Sequence, residues 1–312
     1  MFVARKLRVE YPGAVYHVMN RGDRREPIFK SDQDRVLCLN TLAEACQKTG
    51  WQVHAFCLMS NHFHLVVETP SGNLVAGMKW FLGTYTPRFN RRHRLFGHLF
   101  SGRYKSLIVE GSGTGYLKTV CDYVHLNPVR AKILPPGDKL SRYRWSSYPA
   151  YLWPRRKRPA WLRVDRLLGE HGLGGDTPAA RREFAVRMEG RRAAKLDKEW
   201  TAVRRGWCLG GQRFRKDLLR QMREETGPNH GGEERRETEE TWAEELLGKE
   251  LRRRRWSEAE LAERRKGDSQ KVALARRLRQ ETTMTLHWIA HRLNMGTAGS
   301  LANLLRDAKR ME

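Results

Sequence analysis

His62-Phe63-His64 sets two imidazoles one residue apart. In an extended strand, residues i and i+2 point to the same side, so both rings project together while Phe63 enters the opposite face. Two neighbouring neutral imidazoles can hold a divalent metal, with carboxylate, amide or water oxygens completing the shell. The same spacing also suits surface or packing histidines. A second constellation lies in Tyr116-Leu-Lys-Thr-Val-Cys-Asp-Tyr123-Val-His-Leu-Asn127-Pro-Val-Arg130. Tyr123 and Asn127 are four apart and share a face on a helix. Leu117, Val120, Val124 and Cys121 supply the apolar side of that helix, which leaves Tyr123 and Asn127 to point together elsewhere. The plainer alternative makes Tyr123 a half-buried core residue and Asn127 a cap before Pro128.

The elements that must position these groups follow from periodicity and punctuation. Ala14 to Asn20 is short and β-branched and reads as a strand. Asp32 to Lys48 has helical spacing, with Ser31 or Asp32 as N-cap and Gly50 as stop. Gln52 to Met59 and His62 to Thr69 read as two strands broken at Ser60-Asn61. Leu74 to Asn90 reads as a helix, Arg103 to Glu110 as a strand, and Gly115 to Leu126 as a helix stopped by Pro128. The order β-α-β-β-α-β-α predicts an α+β fold: a ferredoxin-like split βαβ domain with an antiparallel sheet and one extra helix. An α-helical C-terminal extension follows.

Four strings carry a family likeness. They are Tyr16-His-Val-Met-Asn-Arg-Gly22, Met59-Ser-Asn-His-Phe-His-Leu-Val66, Gly102-Arg-Tyr-Lys-Ser106 and Tyr123-Val-His-Leu-Asn-Pro-Val-Arg130. Together they resemble the single-tyrosine HUH transposases, and most closely the REP-associated tyrosine transposase branch. The likeness spans about residues 8–150. It implies that His62 and His64 are metal ligands, that Tyr123 is the nucleophile, and that Asn127 stands at the third-ligand position. The implied metal is Mg2+ or Mn2+, and the implied enzyme is an HUH single-strand DNA endonuclease and transposase. Its reaction would be phosphodiester transesterification on single-stranded DNA through a 5′-phosphotyrosine, with hairpins as the recognised form. Relatives of this kind act as monomers or as homodimers.

Charge fits a polyanionic partner. The 312 residues carry 60 Lys and Arg against 35 Asp and Glu, a net +25, and such an excess most often serves nucleic acid. Residues 1–130 hold +9 of it and residues 131–312 hold +16. Candidate DNA contacts are Arg21, Arg24, Arg103, Tyr104, Lys105 and Arg130. Arg25, Arg88, Arg91, Arg92 and Arg94 join a possible rim in which basic side chains track phosphates and aromatic rings stack on unpaired bases. The five cysteines are scattered and contain no CxxC pair, so a disulfide framework or cysteine-rich zinc site is not expected. No apolar run approaches the ~20 residues that span a bilayer. The start lacks a secretory apolar region, and the expectation is cytoplasmic.

The sequence divides into residues 1–150, a helical extension at 151–226, and a helical region at 234–312. Residues 131–165 read as a tail packing on the first domain, and 169–176 as a loop. Residues 178–226 are helical in pattern, 226–232 form a linker, and 234–265 read as one charged, solvated helix. Near the end, Leu286, Ile289, Ala290 and Leu293 mark one helix face, and Leu301, Leu304 and Leu305 the next, around Asn294-Met295-Gly296. This resembles a helix-turn-helix for duplex DNA, with apolar positions about one residue late after the turn. Its plainer alternative is a packing hairpin. Two rivals stand beside the enzyme: a domesticated, non-catalytic DNA-binding regulator, and an RNA-binding protein built on the same kind of sheet.

Overall fold

The computed structural model describes residues 9–111, 113–193, 197–204, 206–225, 233–282 and 284–310. The linker expected at 226–232 lies outside the described residues. Residues 8–215 form one compact unit and residues 216–312 belong to another.

The first unit opens with strand β1 (Ala14–Arg21), helix α1 (Asp32–Thr49), strands β2 (Gln52–Leu58) and β3 (His62–Thr69), helix α2 (Leu74–His93) and strand β4 (Lys105–Val109). Helices α3 (Tyr116–His125), α4 (Asn127–Arg130), α5 (Tyr148–Tyr151), α6 (Asp165–Glu170), α7 (Pro178–Ala193) and α8 (Asp197–Arg204) follow, then strand β5 (Cys208–Leu209). The sheet order is β2-β3-β1-β4-β5. The first four strands pair antiparallel, as the split βαβ arrangement requires. The fifth pairs parallel to β4. That strand corrects the purely helical reading of 178–226: Cys208-Leu209 is too short to show a period, and only the β4 edge makes it a strand.

Each helix boundary has a local cause. Ser31 and Asp34 close a capping box on α1, and Gly50 ends it in the left-handed region at φ 71°. Phe63 points to the α1/α2 side of the sheet and meets Phe81 of α2 edge-on at 5.9 Å. Gly77 lets α2 approach Trp51, because a Cβ there would stand 2.0 Å from the indole ring. The Trp51 indole in turn donates to Asn73 Oδ1 at 2.8 Å, tying the start of α2 to the residue before β2.

The chain beyond α4 dresses both edges of the sheet. Val53 of β2 bridges Leu162 and Cys57 bridges Ser146, while β5 lines β4 on the other side. Phe184 of α7 stacks on Tyr151 with centroids 5.2 Å apart, and both are buried. The expected packing of 131–165 on the first domain is therefore observed. The loop expected at 169–176 is observed from His171 on, while Gly169 and Glu170 end α6.

The second unit contains α9 (Gln212–Glu225), most of it, then α10 (Glu233–Arg254), α11 (Glu258–Glu263), α12 (Ser269–Glu281), α13 (Leu286–Arg292) and α14 (Ala298–Arg310). The single charged helix expected at 234–265 is two helices, broken where Arg255 turns left-handed at φ 55°. Nor is it only a solvated face: Ala243, Leu246, Leu247 and Leu251 enter a core with Leu274, Ile289 and Leu301. Between α13 and α14 two residues have positive φ, Asn294 at 54° and Gly296 at 85°.

Candidate active site

The strand register builds one row of side chains on the face opposite Phe63. Residues directly across an antiparallel pair point to the same side. Met19 lies opposite His64 on β3 and Lys105 on β4, and Arg21 lies opposite His62. His17, two residues before Met19, shares that face. Helix α3 packs there and brings in Tyr123. The Tyr123 ring stands edge-on to His64 and to His17, each at 5.8 Å between centroids. His62 and His64 are 5.1 Å apart.

Second contacts fix both imidazoles of the expected ligand pair. His62 Nδ1 is 2.8 Å from Asn61 Oδ1, which selects the Nδ1–H tautomer and leaves Nε2 as the free lone pair. His64 Nδ1 is 2.9 Å from His17 Nε2, so its Nε2 is again the outward atom. Burial, aided by Arg21, pulls the His62 pKa down to about 4. Burial alone takes His17 down to about 4. His64 is held well below its ordinary value by burial first and then by His17, His62, Arg130 and Arg21. All three are therefore neutral at pH 7, the protonation state that metal ligation needs.

Asn127 does not continue the helix of Tyr123. Leu126 breaks the helix after His125, and Asn127 opens α4 with Pro128 behind it. Its carboxamide is buried, and Nδ2 has no hydrogen-bond partner. Among the described residues no three His, Cys, Asp or Glu side chains group as a ready metal cage. Two neutral imidazoles with free Nε2 atoms are the donor type and protonation state that a divalent ion accepts, with oxygen ligands to complete the shell.

The remaining candidates fall at different distances from this centre. Arg130 lies over the Tyr123 ring, its guanidinium carbon 4.6 Å from the centroid. Arg21 and Lys105 end the same sheet face and are exposed, as are Arg24 and Arg103. Tyr104 is 8% exposed, so its ring is not laid open for a base to stack on. Two members of the wider rim are already engaged: Arg88 makes a bidentate pair with Glu44, and Arg92 pairs with the buried Asp34. Two groups were not singled out in the sequence. A lone His17 in a β-branched strand looks like a core histidine, and only the β1–β3 register reveals its partner. Trp200 of α8 comes from the extension and meets Tyr123 edge-on at 6.0 Å.

The buried neutral histidines make stability depend on pH. In the unfolded chain histidine titrates near 6.5, whereas folded His17 and His62 titrate near 4. Between those values only the unfolded chain takes up protons, so stability is full above about pH 6.5 and is lost as the pH falls toward 4. Thermal melting in chelator should therefore show a steadily falling Tm from pH 7 to pH 4.5, and a flat profile would contradict the burial of these rings.

Residues 11–127, somewhat over a third of the chain, match the family model described as "Transposase IS200 like". Residues 128–312 lie outside the match. Among solved structures, the chain is similar to one titled "Structure of the REP associates tyrosine transposase bound to a REP hairpin", at 14% identity and a TM-score of 0.39, covering 49% of this chain and 89% of that one. No curated protein matches the sequence. No helix among the described residues is long and apolar enough to cross a membrane.

Proposed function

We propose that the protein is a metal-dependent endonuclease and strand transferase that cuts and rejoins single-stranded DNA through Tyr123, with hairpin-forming DNA as its partner. The observation that carries this reading is the meeting of Tyr123 of α3 with His64, which stands beside His62 on the sheet face, although some 60 residues separate them in sequence. In the reaction, Tyr123 Oη forms a bond to the scissile phosphorus and loses its proton. The P–O3′ bond breaks and its electron pair leaves with the 3′ oxygen. A second 3′-hydroxyl later reverses the exchange, so the bond energy is kept and no nucleotide cofactor is needed. His62 and His64 would hold Mg2+ or Mn2+ with Asn127, and the ion would polarise the phosphate oxygens and stabilise developing charge. His17 holds the His64 ring in place.

Arg21, Arg24, Arg103 and Lys105 would follow the strand's phosphates at the open end of the face. In the second unit, the α13–turn–α14 element is proposed to contact duplex DNA. Incubation with Mn2+ and a panel of end-labelled hairpins should give a covalent protein–DNA band on denaturing gels. Tight hairpin binding with no adduct from any member would favour the non-catalytic regulator instead.

A further inference from the structure

We propose that Arg130 and Trp200 form a phosphate-binding subsite beside Tyr123, which takes a phosphodiester of the strand that Tyr123 attacks; it rests on the strand-transfer reading above. Arg130 sits in the corner between two rings, its guanidinium carbon 4.6 Å from the Tyr123 centroid and 4.8 Å from that of Trp200. Those rings meet at 75°. Among the described residues Arg130 has no carboxylate partner, unlike Arg88 or Arg158, which are held by Glu44 and Asp176.

Trp200 supplies the independent observation. The residue is 5% exposed, and its buried indole Nε1–H has no acceptor among the described residues. Buried donors rarely stand unpaired in folded proteins. Two donor groups therefore border the Tyr123 ring, one cationic and one neutral, and among the described residues neither pairs with an acceptor side chain. Besides Arg130, Tyr123 meets the rings of His17, His64 and Trp200, none of them acidic. The one acid next to it in sequence, Asp122, is tied instead to His171 and Arg191. Among the described residues, the corner between the two rings thus holds the Arg130 cation with no carboxylate paired to it. A phosphate group can accept from both donors at once, and a guanidinium fork is matched to its oxygens. Trp200 lies outside the family-matched segment, so the extension would complete the site rather than only decorate it.

Indole N–H resonances of the isotope-labelled full-length protein provide the test, with Trp200→Phe identifying the Trp200 signal. Inorganic phosphate should move that signal saturably, chloride at matched ionic strength should not, and Arg130→Gln should abolish the response. Trp200→Phe keeps a ring but drops the donor, and should weaken hairpin binding about tenfold, as expected for one lost hydrogen bond to a charged group. A Trp200 signal unmoved by phosphate and hairpin, in a protein that still forms adducts, would overturn the subsite alone. Saturation by phosphate with no adduct from any hairpin would retain the anion subsite and remove the strand-cutting reading. Arg130→Gln, at a half-buried position, supplies the same comparison if Trp200→Phe does not fold.

Discussion

Tyr123→Phe should abolish the covalent DNA adduct while leaving hairpin affinity within about twofold. The substitution deletes one oxygen and keeps the ring that touches His17, His64 and Trp200 and lies under Arg130. Packing and cation–π contacts therefore survive, and melting should shift little. What is lost is the only atom proposed to bond to phosphorus. Without a nucleophile there is no divided reaction path, and losses of about 10⁴-fold or more are the usual scale for such a deletion. The measurement is a denaturing gel with labelled hairpin beside an anisotropy titration. An adduct that persists in the variant would move the nucleophile to another residue.

Asp122→Ala is expected to be the most damaging single change to stability near the site. Asp122 has no exposed surface, and its two oxygens meet His171 Nε2 at 3.0 Å and Arg191 Nε at 2.7 Å. His171 follows α6 and Arg191 lies on α7, so one carboxylate fastens the tyrosine helix to the extension. Removing one partner of a buried ion pair leaves the other charge uncompensated and costs about 3–5 kcal/mol. For a unit of this size that corresponds to a fall in Tm of about 10 °C. Calorimetry should show it, and adduct formation should decline with it because α3 carries Tyr123. A change of only a degree or two would mean that Arg191 finds solvent at little cost. Asp122→Asn, which can still accept from either neighbour, should lose less.

The first half of the chain is readable from its sequence because its signals are local. The strand alternation around His62-Phe63-His64, the capping box at Ser31 and Asp34, and the left-handed Gly50 each depend on a few neighbouring residues. The tyrosine and histidine strings could be matched to a family for the same reason. What escaped was set by distance. His17 becomes meaningful only through a register that places it against His64. Trp200 matters through a fold-back of about 75 residues. Tyr104 carries the right chemistry for stacking but is buried. Asn127 was placed on the tyrosine helix by counting in fours, yet Leu126 interrupts that helix, so its approach to the site is set by the break. In the second unit the apolar periodicity located α13 and α14, while the left-handed Arg255 left no pattern by which to divide the long charged stretch.

The dressing of both sheet edges has a consequence for how the domain can exist. Strand edges with open N–H and C=O groups invite pairing with other chains. Here β2 is closed by backbone bonds to Trp145, Trp161 and Arg163, and β4 by bonds to Trp207 and Leu209. All of these partners lie beyond residue 127, where the family match ends. A fragment cut at that boundary would keep His62, His64, Tyr123 and Asn127 but expose two raw strand edges, and would be prone to aggregate. The sheet and the segment that closes its edges are thus one folding unit, and a fragment with both edges covered would have to run to about residue 209.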